Sequence, residues 1–150
     1  MVTDDSFDVE HDDWVNVAFK TADSSTRESA GAGVVGDLLS HGIDLAQFVL
    51  GTRITEVTAM TDTFITTRPV PLSVGVGHAA VAVSDERREV QNEDYVAALA
   101  RTDSGALVTL ESSRVAVGPR TEYVIEVYGT EGSVRWSFER PEHLQVLIAG

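Results

Sequence analysis

The 150-residue chain has no cysteine and only one lysine, Lys20, among its 11 basic residues. Without cysteine there can be no disulfide, no thiolate zinc site and no cysteine nucleophile. Long apolar runs are missing too: none approaches the roughly 20 residues that a membrane span needs. The opening MVTDDSFDVEHDDW lacks the basic and apolar regions of a signal peptide. Positive charge is scarce, with 24 Asp+Glu against 11 Lys+Arg and a formal charge of −13. Such a surface field repels phosphate, which argues against nucleic acid and anionic membrane as partners. A soluble, cytoplasmic protein is expected.

What is present bounds the size of the answer. At 43% hydrophobic residues the chain is not compositionally disordered. Its length suits one domain with a genuine core and is too short for a nucleotide-binding domain plus a separate substrate domain. Met1 to Ala30 is polar and acidic without a sustained period, so residues 1–30 read as an irregular lead-in. Residues 31–150 read as the folded domain. Gly36 and Asp37 offer a helix start and Gly51 a left-handed stop. The apolar residues between them suffice for a helix buried around most of its circumference.

Beyond Gly51 the pattern becomes β-branched and alternating. Ile54 to Thr66 reads as a long strand, Thr67 to His78 as a loop, and Ala79 to Val83 as a short strand. The charged run from Ser84 to Asp94 reads as a solvated loop. Two hairpins follow, Tyr95–Arg101 with Ala106–Val115 and Glu122–Tyr128 with Ser133–Glu139, each turning at a glycine. His143 to Ile148 reads as a last strand, and the chain ends directly after it, as if cut from something longer. One helix followed by mostly hairpin-joined strands predicts an α+β fold with a mostly antiparallel open sheet.

Gly31-Ala32-Gly33-Val34-Val35-Gly36 matches G-x-G-x-x-G, and Glu56 lies at a suggestive distance downstream. The dinucleotide mechanism needs a buried strand delivering the chain to the first glycine. The preceding TADSSTRESA is too polar for that. The remaining readings are a flexible loop before the helix, or a loop whose bare Gly33 and Gly36 let a ligand approach; the second is favoured.

Asp37 and His41 are four residues apart, so on a helix they share a face, and Asp44 extends the stripe by a turn. Charged groups on an otherwise apolar helix are costly to bury without a partner or a role. In a structural reading Asp37 caps the helix, His41 bonds a carbonyl and Asp44 pairs with an arginine. Metal ligation is a second reading, although the stripe is not H-E-x-x-H and lacks a third ligand; no metal is expected. Acid–base chemistry is the third, with histidine exchanging the proton and a carboxylate orienting it. Arg68 and Arg114 could reach a substrate hydroxyl or a cofactor phosphate, or form surface ion pairs. His78 has the same two readings. Tyr128 and Trp136 suit sheet packing or an interface.

The run from Gly31 to Gly51 resembles the segment after the nucleotide-binding domain in the glucose–fructose oxidoreductase / inositol dehydrogenase (Gfo/Idh/MocA) family. Later segments agree in order: Thr63-Phe64-Ile65 with Arg68-Pro69, Gly105-Ala106-Leu107, Glu111-Ser112-Ser113-Arg114, Glu126 to Ser133, Trp136, Glu139-Arg140-Pro141 and Leu144-Gln145-Val146. The resemblance spans roughly residues 30 to 148 and rests on this order rather than on any single motif. It implies a C-terminal domain of the glyceraldehyde-3-phosphate-dehydrogenase-like type. It also implies hydride transfer between NAD or NADP and a hydroxyl-bearing carbon of a sugar, inositol or related polyol. In that reading His41 takes the hydroxyl proton and Asp37 tunes it or binds substrate. Asp44, Arg68 and Arg114 are then substrate-binding candidates, and Gly33 and Gly36 face the cofactor. The open sheet face is expected to join copies into a homo-oligomer. The family's nucleotide-binding domain and its Glu-Lys-Pro segment have no counterpart here, and Lys20 in VAFKTADS is no match. The chain alone is expected to hold no cofactor and needs a Rossmann domain in cis or in trans. The alternative is a non-catalytic binding or dimerisation module that kept the fold.

Overall fold

The computed structural model describes residues 33–73, 82–118 and 122–150. The lead-in read over 1–30, Gly31, His78 and the beginning of the short strand read over Ala79–Val83 lie outside them. Two compact units emerge, whose described parts are 33–116 and 117–150.

A π-helical stretch, Val35–Leu39, passes directly into helix α1, Ser40–Leu50. Gly51 ends α1 at φ 63° and ψ 30°, the left-handed stop expected from the sequence. Eight strands follow among the described residues: β1 (Ile54–Asp62), β2 (Thr67–Pro71), β3 (Val83–Glu89), β4 (Tyr95–Thr102), β5 (Leu107–Ser113), β6 (Val124–Tyr128), β7 (Gly132–Ser137) and β8 (Leu144–Ile148). All their pairings are antiparallel. The α+β reading with mostly antiparallel sheet is the fold observed.

In the first unit the sheet order is β1-β4-β5, with β4 central. Side chains on β4 alternate as a strand requires, burying Val96, Ala98, Ala100 and Thr102 on one face. Ala98 lies opposite Leu110, and Ala100 opposite Val108. Val34 and Leu39, from the helix entry, complete a core with Val96, Ala98, Ala100 and Leu110, flanked by Val35, Ile43, Ile54 and Val108. Two of the buried β4 positions are alanines, whose small side chains let the helix entry approach the sheet.

Two expectations are corrected here. The expected loop over Thr67–His78 begins as strand β2, and the charged run contains strand β3. They form a separate two-stranded ribbon. Such a ribbon leaves each strand one unpaired edge, so Pro69 and Pro71 are tolerated in β2. Most β3 side chains are exposed, hence its lack of hydrophobic alternation. The helix, moreover, is not buried around most of its circumference. Within α1 only Ala46 is buried, while Phe48 is 82% exposed and Val49 half-exposed. A helix resting on one sheet buries one stripe, and the rest of its apolar surface faces away.

The second unit is the meander β6-β7-β8. Its first turn closes with the Gly129 amide donating to the Gly132 carbonyl at 2.8 Å. A Cβ on Gly132 would come within 2.4 Å of the Leu147 carbonyl oxygen, so glycine lets β8 close on β7. Trp136 meets Tyr123 and Phe138 edge-on and donates its indole N–H to the Pro141 carbonyl at 3.0 Å.

Candidate functional site

The stripe seen in the sequence is carried by one helical segment. Asp37 lies in the π-helical stretch and is half-buried, whereas His41 and Asp44 lie in α1 and are exposed. At about 100° per residue, His41, Asp44 and Phe48 fall on the side of α1 opposite Ile43 and Ala46. Ile43 packs on the core and Ala46 is buried. The fold therefore turns the imidazole and the Asp44 carboxylate outward, where a ligand can reach them.

The π-helical stretch had no signal in the sequence. The Ser40 amide donates to the Val35 carbonyl, five residues back, and the Ser40 hydroxyl donates to the Gly36 carbonyl at 2.8 Å. A single π turn is frequent at functional sites because it sets a side chain out of phase with the helix that follows. Here that side chain is Asp37.

Helix entry differs from the expectation in its cap. The helical conformation begins before Gly36, and neither Gly36 nor Asp37 caps it. The Val34 amide donates to the Glu93 carbonyl at 3.0 Å, and the Val35 amide to Glu93 Oε1 at 3.3 Å. The Asp37 amide donates to the Gly33 carbonyl at 3.0 Å. Gly33 is buried, and a Cβ there would lie 2.4 Å from the Glu93 carbonyl oxygen. Its missing side chain admits the chain's own backbone. Gly36 is exposed in the π stretch.

Arg68 and Arg114 are brought together elsewhere, on a single carboxylate. Arg68 Nη2 donates to Asp94 Oδ1 at 2.7 Å, and Arg114 Nε donates to the same oxygen at 2.8 Å. The Ile65 amide donates to Asp94 Oδ2 at 2.8 Å. Asp94 is 0% exposed, Arg68 2% and Arg114 3%. Burial and the neighbouring Arg114 charge push Arg68 down to about 10, with Asp94 pulling the other way. The two guanidinium groups thus share one carboxylate oxygen inside the domain. An arrangement of that kind holds only if each group keeps its partners.

Sequence reasoning missed Asn92, Glu93 and Asp94, because the charged run hid three buried residues at its end. Nothing in the residue types separates them from their exposed neighbours. The Asn92 carbonyl accepts from Thr63 Oγ1 at 3.1 Å and from Arg114 Nη2 at 3.5 Å. Among the described residues no three His, Asp or Glu side chains gather as a metal site.

The fold is an α+β domain in which one helix, laid on an antiparallel sheet, exposes His41 and Asp44 on the side away from the core. A family model described as the GFO/IDH/MocA C-terminal domain matches residues 5–135. The chain belongs to this family. The match starts inside the stretch read as a lead-in. The chain is 34% identical over 122 residues to levoglucosan dehydrogenase of Pseudarthrobacter phenanthrenivorans, covering 80% of this chain and 31% of that protein. Among solved structures it is similar to an NAD binding oxidoreductase from Klebsiella pneumoniae, with 40% identity and a TM-score of 0.71 over 83% of this chain and 30% of that one. It is also similar to levoglucosan dehydrogenase in complex with NADH and levoglucosan, with 32% identity and a TM-score of 0.66 over 81% and 28%. The chain thus spans about a third of the length of these relatives. Among the described residues no helix is long and apolar enough to cross a membrane.

Proposed function

We propose that this domain is the substrate-binding and proton-handling half of an NAD(P)-dependent oxidoreductase that acts on a hydroxyl of a sugar, inositol or related polyol. One observation carries the reading: His41 and Asp44 stand exposed on the side of α1 opposite Ile43 and Ala46, with the half-buried Asp37 in the π turn just before it. Family membership, and a relative solved with NADH and levoglucosan, support the substrate class.

Oxidising an alcohol requires a base within hydrogen-bond reach of the hydroxyl. The His41 imidazole accepts that proton. Asp37 binds the substrate or tunes that imidazole, and Asp44 accepts hydrogen bonds from further substrate hydroxyls. Arg68 and Arg114 act through Asp94, holding the sheet that supports the helix, rather than by touching substrate.

The helix entry does not fit a dinucleotide. Its first amides donate to Glu93 and Gly33, and the space above Gly33 is filled by the Glu93 carbonyl. NAD or NADP is therefore assigned to a nucleotide-binding domain supplied in cis or in trans, and the isolated chain is not expected to turn over. The face of β1-β4-β5 away from the core leaves Met60, Leu99 and Leu107 exposed, which suits pairing with a second copy.

The test compares the isolated chain with the complete two-domain protein, assayed with NAD and NADP on a panel of sugars and polyols. The expected outcome is no cofactor binding and no turnover for the chain, and cofactor reduction by the complete protein. Tight NAD(H) or NADP(H) binding by the chain alone, or a complete protein inert on every polyol, contradicts the reading.

A further inference from the structure

Asn92, Glu93 and Asp94 are consecutive, buried, and bonded to every side of the first unit. Asp94 ties β2 and β5 together through Arg68 and Arg114. Its amide donates to the Asp62 carbonyl at the end of β1 at 2.8 Å, and its carbonyl accepts from the Arg114 amide at 3.0 Å. The middle residue, Glu93, turns to the helix instead, taking the Val34 amide on its carbonyl and the Val35 amide on its side chain.

We propose that Glu93 is a positioning residue for Asp37 and His41, an inference that rests on the proton-handling reading given above. A helix normally satisfies its first amides with a local cap, which fixes the entry only relative to itself. Here the acceptor comes from 58 residues further on, two residues before the start of β4 and next to the buried Asp94. Helix entry is thereby referenced to the rigid part of the domain. Val35 is also the residue at which the π stretch begins. The Glu93 carboxylate therefore fixes where the wider turn starts, and with it the phase between Asp37 in that turn and His41 in α1. Gly33 serves the same contact, since any Cβ there would drive the Glu93 carbonyl away.

The test is a double-mutant cycle in the complete enzyme, with kcat and KM for polyol oxidation measured for E93Q, E93D, H41N and each Glu93 variant combined with H41N. Gln keeps an oxygen that can accept from the Val35 amide, whereas Asp keeps the charge but is one methylene too short. We expect E93Q to stay near wild type, E93D to lower kcat by about tenfold with KM little changed, and E93D to cause no further loss in H41N. An unchanged kcat in E93D overturns the positioning role while leaving His41 as the base. Sensitivity to E93Q but not to E93D overturns it as well, since charge rather than the hydrogen bond would be acting. An equal loss from E93D in H41N overturns it too, since Glu93 would then act on the fold at large. A full rate in H41N removes the base itself, and the inference with it.

Discussion

The Asp94 cluster and the stripe on α1 both set carboxylates beside nitrogen bases, yet the fold treats them in opposite ways. Around Asp94 every charged group is withdrawn from water, and Arg68, Arg114 and the Ile65 amide all bond to its one carboxylate. On α1 the imidazole and Asp44 stand exposed on the side turned away from the core. Burial makes a charge pay for itself through its partners, so the cluster serves cohesion. Exposure leaves a titratable group able to exchange protons with something outside the domain. The same residue types thus divide by environment, and Glu93 is where the two regions meet.

The comparison can be broken most severely at the cluster. D94N removes the charged carboxylate that two buried guanidinium groups share, and breaking such a pair costs about 3–5 kcal/mol. Chemical denaturation of D94N should show a loss of that order or no folded protein at all. A change below about 1 kcal/mol would mean that the cluster is not cohesive. At the stripe the contrast reverses. In the complete enzyme H41N should lower kcat by about 10²–10⁴-fold, the usual contribution of general acid–base catalysis. Its unfolding free energy should stay within about 0.5 kcal/mol of wild type, as for other exposed positions.

A smaller effect sharpens the link between the regions. G33A forces a Cβ against the Glu93 carbonyl, and overpacking against backbone of this kind costs about 1–3 kcal/mol. Thermal unfolding of G33A checks this. The smallest effect is expected in the second unit, where Arg135 Nε donates to Glu126 Oε1 at 2.8 Å across β6 and β7, both side chains partly exposed. E126Q should cost no more than about 0.5 kcal/mol by denaturation, with the loss shrinking further in high salt.

How much of this was legible in the residues varied with burial. The β4–β5 and β6–β7 hairpins and the stop at Gly51 could be read because alternation and turn glycines are local signals. The pairing of β2 with β3 could not, since a ribbon with a mostly exposed, charged strand keeps no apolar period and Pro69 argues against strand. Asp37, His41 and Asp44 stood out as charges on an apolar helix. Asp94 did not, because its burial depends on Arg68 and Arg114, 26 and 20 residues away in sequence. The apolar run of α1 overstated its burial for a related reason: periodicity reports which residues could be covered, not which are. Phe48 is apolar in the sequence and exposed in the fold.

The central claim is that the exposed His41 imidazole accepts the substrate proton. The pH dependence of kcat/KM for polyol oxidation by the complete enzyme tests it most directly, measured for wild type and H41N side by side. In wild type the rate should rise with pH through one acidic limb, the mark of a base that must be unprotonated to accept the hydroxyl proton. H41N should lose that limb along with most of its rate. An identical limb in H41N, at comparable rates, would show that the proton goes elsewhere.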